Sequence, residues 1–149
     1  MRYFKVILIL MLLIPSKAFA LIEVDITRGN LNPLPIAVSP LSLDANSKTE
    51  FKKILNKDDI GSEISKVVEN NLRASGLFNP LDKDAFLQKP DIAHLKPRFE
   101  DWSLIKAQAL ITGKVIFQDE KLRVEFRLWD VLAGKEMMAL AFTTVPSNW

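Results

Sequence analysis

Cysteine is absent from the 149 residues, histidine occurs once and glycine five times. Without cysteine there is no disulfide framework, thiolate zinc site, iron–sulfur centre or cysteine nucleophile. A single histidine, His94, does not build a histidine-rich metal site, and no Gly-x-Ser-x-Gly motif is present to supply it with a nucleophile. Five glycines leave little room for phosphate-cradling loops, and no Walker, Gly-x-Gly-x-x-Gly or EF-hand pattern occurs. The adjacent carboxylates Asp58-Asp59 and Glu100-Asp101 precede or open helical patterns, where capping explains them more simply than acid–base catalysis. Neither an enzyme nor a cofactor or metal site is expected. What the chain does have is apolar content, 48% against 26% charged residues. That balance suits one ordinary domain with a real core rather than a disordered chain.

The first twenty residues read as an address. Arg2 and Lys5 precede the apolar run Val6–Ile14, and Pro15, Ser16 and Lys17 break it before Ala18-Phe19-Ala20. A charged start, a short apolar stretch and small residues at Ala18 and Ala20 are the layout of a secretory signal cleaved after Ala20. The apolar run rises only about 13 Å as a helix, against a hydrocarbon core of roughly 30 Å, so stable membrane insertion after cleavage is not expected. Residues 1–20 are therefore read as signal peptide and 21–149 as one exported α+β domain. Losing Arg2, Lys5 and Lys17 turns the formal charge of +2 into −1. A chain near neutrality lacks the electrostatic footprint of a nucleic-acid binder.

In the mature chain, Leu21–Thr27 alternates, with Ile22, Val24 and Ile26 on one face and Glu23, Asp25 and Thr27 on the other. The pattern predicts a strand. A second strand is expected over 34–41, with Pro35 and Pro40 at its ends or on an edge. Residues 42–57 read as polar loop, with a short helical turn around 50–55. Ile60, Ile64, Val67, Val68 and Leu72 trace one face of a helix over 59–74, with Asp58 as candidate N-cap, Glu63 in its first turns and Gly76 as the stop. A short strand over 77–81 and one helical turn over 82–87 follow. The proline-bounded stretch 88–97 is read as irregular, with His94 in a loop or structural role. A short helix over 99–107 should bury Phe99, Trp102 and Ile105.

Strands are predicted over 109–118, 121–131 and 136–144, joined by turns at Asp119-Glu120 and Leu132–Lys135, the second using Gly134. Leu122, Val124, Phe126 and Leu128 should face inward beneath Ile64, Val67 and Val68, with Arg123, Glu125 and Arg127 outward. Trp129 then falls on the polar face. It is read as covered by a helix or a neighbouring strand in preference to an exposed interface aromatic. The order ββαβ(α)βββ makes an α+β fold: a mixed β-sheet ending in an antiparallel meander, with one long helix and short helices packed mainly on one face.

Several stretches together resemble the amino-terminal domain of the TolB family of the Tol–Pal system of Gram-negative bacteria. They are Leu21–Leu41 (LIEVDITRGNLNPLPIAVSPL), Asp59–Leu81 (DIGSEISKVVENNLRASGLFNPL), Arg98–Trp102, Ala109–Val115 and Leu122–Gly134 (LRVEFRLWDVLAG). Pro146–Trp149 is similar to the junction before the family's next helix. The resemblance covers nearly all of residues 21–149. It implies an anticodon-binding-like fold, without RNA binding, since a fold does not transfer function. It also implies a non-enzymatic periplasmic interaction module serving outer-membrane integrity and constriction during division.

The family's mature N-terminal segment binds TolA, which maps residue by residue onto Leu21, Ile22, Glu23, Val24, Asp25, Ile26 and Thr27. An alternating extended segment suits strand addition to a partner's sheet edge, or pairing within its own sheet. Family members continue into a six-bladed β-propeller carrying the main Pal-binding surface. The 149 residues contain no blade repeat, which leaves Pal binding doubtful and makes a truncated or split-gene product, with or without function of its own, an expectation. A small periplasmic hydrolase or ligand-binding domain is the remaining alternative; a deep pocket holding His94 among carboxylates would favour it.

Overall fold

The computed structural model describes residues 32–55 and 59–146. The expected signal segment, the alternating strand Leu21–Thr27, the cap candidate Asp58 and the terminal Trp149 lie outside the described residues. The elements are β1 (Leu34–Val38), β2 (Ser42–Leu43), α1 (Ala45–Leu55), α2 (Ile60–Ala74), β3 (Phe78–Pro80), a 3₁₀ turn (Lys83–Ala85), α3 (Pro90–Ala93), α4 (Phe99–Leu104), β4 (Ala109–Gln118), β5 (Lys121–Asp130) and β6 (Lys135–Thr144). The sheet order is β3-β1-β4-β5-β6, with β2 pairing β4 beyond the end of β1. β1 runs parallel to both β3 and β4, while β4, β5 and β6 form the antiparallel meander. The architecture is thus the expected α+β mixed sheet.

The expected strand over 34–41 is broken. Pro40 has no ladder donor, and the chain leaves the sheet at Ser39 before rejoining β4 at Ser42–Leu43. The excursion is held from above by α2. Leu41 N–H donates to Ser65 Oγ at 3.1 Å and to the Gly61 carbonyl at 3.3 Å, and Ser65 Oγ reaches the carbonyls of Ser39 and Gly61. The buried helix residues include Gly61 and Ser65, two small ones that an apolar-spacing argument passes over.

Three expectations about the helices need correction. Residues 45–55 are a full helix rather than a loop. The Asp44 carboxylate accepts from Ser47 N–H at 2.6 Å and caps the start, while Phe51 and Ser47 are buried. Only two side chains need burial to hold this helix, so a hydrophobic stripe is scarcely visible in ANSKTEFKKIL. The cap of α2 is Asp59, which accepts from Ser62 N–H, one residue later than expected. Val67 is 51% exposed; the buried residues of α2, Ile60, Gly61, Ile64 and Ser65, all lie in its first half.

Two cores flank the sheet. On one face Leu41, Leu43, Phe51, Ile60, Ile64, Val115, Leu122 and Val124 pack together beneath α1 and α2. On the other, Ala37, Trp102, Ala107, Leu110, Trp129 and Val131 pack beneath α4. Trp129 shares the face of Arg127 and is covered, as expected: Phe99 of α4 meets it edge-on at 5.8 Å, and its indole N–H donates to Thr112 Oγ1 at 2.8 Å. Trp102 is core, and its indole N–H donates to buried Gln88. Gln88 Oε1 also accepts from Arg98 N–H, so the stretch before α4 is fastened by one amide. The turns are as expected: Asp119 and Glu120 both have positive φ, the twist of a tight hairpin, and Gly134 takes φ +63° in the second turn.

Candidate partner-binding surface

Alternation along β5 and β6 places Phe126 and Leu128 beside Leu140 and Met138 on the α2 face. Of α1 and α2, only Val68 of α2 borders them. Phe126 and Leu128 are only partly buried, a correction to the expected fully inward row, while Leu122 and Val124 are buried in the cluster that contains Ile64. An open groove of about 260 Å³ results, its walls including Val68, Ile111, Phe126, Leu128, Met138 and Leu140. On β6 itself, Met137 is 60% exposed, Met138 50%, Leu140 48% and Phe142 57%. Every residue of the strand except Thr144 is exposed. Among the described residues β6 is also an edge, with β5 on one side only. Sequence reasoning identified this strand without marking it as a surface. The available signal was that Met137 through Phe142 is apolar at both parities, which an ordinary half-buried strand does not need.

The opposite face of the meander is charged. Glu125 lies 2.8 Å from Arg123 and 3.4 Å from Lys114, and Arg127 lies 3.3 Å from Glu136. The Arg123 guanidinium hydrogen-bonded to Glu125 holds its carboxyl below the ordinary carboxylate range; Lys114 adds to this and partial burial opposes it. Arg123, Glu125 and Arg127 therefore lie on the polar side, as the alternation implied, in two separate sets of ion pairs.

His94 sits at the margin of this face, in a small polar hollow of about 100 Å³ shared with Gly113, Lys114, Glu125 and Arg127. Its Nδ1 lies 3.1 Å from Ser42 Oγ and 3.4 Å from the Pro90 carbonyl. Ser42 Oγ donates to the Gly113 carbonyl, so its lone pairs remain for an N–H, and the Pro90 carbonyl can only accept. Both neighbours call for a proton on Nδ1. In that tautomer the imidazole donates to Ser42 and does not serve it as a base. The one carboxylate in the hollow, Glu125, is engaged with Arg123 and Lys114. Among the described residues no group of three or more metal-ligating side chains exists, and no helix is long and apolar enough to cross a membrane.

The expected partner strand Leu21–Thr27 and the cleavage residues Ala18 and Ala20 lie outside the described residues. Family comparison reaches further along the chain. The TolB amino-terminal domain profile matches residues 22–137. The chain belongs to the TolB amino-terminal domain family. The Tol-Pal system protein TolB of Pelagibacter ubique (strain HTCC1062) is 81% identical to it over 145 residues, covering 97% of this chain. The chain spans 32% of that relative's length. Among solved structures, TolB from Acinetobacter baumannii superposes with a TM-score of 0.53 at 20% identity, over 78% of this chain and 24% of that one. The LpoB C-terminal domain from Escherichia coli superposes with a TM-score of 0.53 at 12% identity, over 78% of this chain and 85% of that domain. At such identities these two likenesses speak to the fold, which TolB shares with a domain of a different name. The TolB assignment rests on the family match and the Pelagibacter relative.

Proposed function

We propose that this chain is a non-enzymatic, periplasmic interaction module of the Tol–Pal system that binds a TolA-like partner through Leu21–Thr27. The observation that carries the reading is the extent of the family match, which begins at residue 22 and so takes in Ile22, Val24 and Ile26. A proton on His94 Nδ1, donated to Ser42, supports the non-enzymatic part. In this reading residues 1–20 are removed after Ala20, leaving the alternating segment at the start of the exported domain. Backbone hydrogen bonds supply most of the affinity, alternate apolar side chains fill pockets on the partner, and Glu23 and Asp25 steer a basic edge. In this reading the domain contributes its TolA contact to the outer-membrane integrity and constriction that the family resemblance implies. Pal binding is not assigned to these residues.

The test is binding of purified TolA by the exported chain, its starting residue fixed by mass spectrometry. Deleting residues 21–26 should abolish binding with the helical circular dichroism retained, and Val24→Pro should nearly do so by removing a ladder donor. Charge reversal at Glu23 and Asp25 should slow association more than it speeds release. Normal binding by the deletion variant would sink the assignment, and an exported chain still starting at Met1 would sink the cleavage.

A further inference from the structure

We draw no further inference here: the strongest candidate, the open apolar groove that Val68, Phe126, Leu128, Met138 and Leu140 form beside β6, carries nothing because nothing in the structure shows what covers it.

Discussion

Gly61 shows how a single residue sets the approach of α2. A Cβ built there would run into the Leu41 carbonyl and the Leu43 side chain, and the first of these is backbone that cannot rotate away. Alanine is the better helix former by about 1 kcal/mol. Even so, Gly61→Ala should lower stability, because the helix must move off the Ser39–Leu41 excursion and loosen the Ser65 hydrogen bonds. Thermal denaturation checks the sign; a variant melting above the parent would show that the helix gives way without loss. Gly61 and Ser65 were not legible beforehand, since glycine and serine in a helical pattern read as neutral filler until the opposing backbone is known. Trp129 was legible, because the hairpin pattern fixed its parity and a tryptophan on a polar strand face needs a cover. His94 was legible only as far as its loop. Its partner Ser42 lies far away in sequence, and no local spacing joins the two.

Among the elements, β5 separates what burial pattern can and cannot say. Leu122, Val124, Phe126 and Leu128 are equivalent by alternation, yet Leu122 is fully buried and Phe126 only partly so. The difference is set by where α1 and α2 end above the sheet, a matter of helix placement that alternation in one strand does not encode. Leu122→Ala should cost about 2–5 kcal/mol, the range for truncating a fully buried leucine. Phe126→Ala should cost less than the 3–5 kcal/mol of a buried phenylalanine, since it already faces an open groove and meets Phe142 edge-on at 6.3 Å. Denaturant unfolding of both variants checks the order; a costlier Phe126→Ala would mean the groove is filled in solution. Helix α1 escaped notice for the related reason that its own cap, Asp44, looked like one more polar residue in a polar stretch.

At the scale of the whole molecule, the meander and the parallel half of the sheet were legible to different degrees. β4, β5 and β6 are joined by two short turns, and alternation with turn chemistry locates all three strands and their antiparallel order. The pairing of β1 with β4, Ile36 opposite Ala109, joins strands far apart in sequence, and nothing local announces it. The element order was enough for the α+β class, while the exposure of β6 depends on what lies over the sheet, which the strand's own sequence only hinted at by being apolar at both parities. The same contrast predicts an order of assembly. Local hairpins form early, and pairings that close long loops come late. Pulse-labelled hydrogen exchange during refolding should find amides of the β4–β5–β6 ladder protected before those of β1, and early protection of Ile36–Val38 would contradict this.

β1 lies between β3 and β4, both of which follow it in the chain. A ribosome delivers the chain from its N-terminus at about 5–20 residues per second, so the interval between β1 and β4 is on the order of several seconds. Throughout that time Ile36, Ala37 and Val38, which end among the least exposed residues of the domain, have no sheet to enter. The nascent chain thus carries a short sticky segment that is made first and housed last. A chaperone that holds short apolar stretches would find its natural target there, and for an exported chain it could let go only once β4 has crossed the membrane as well.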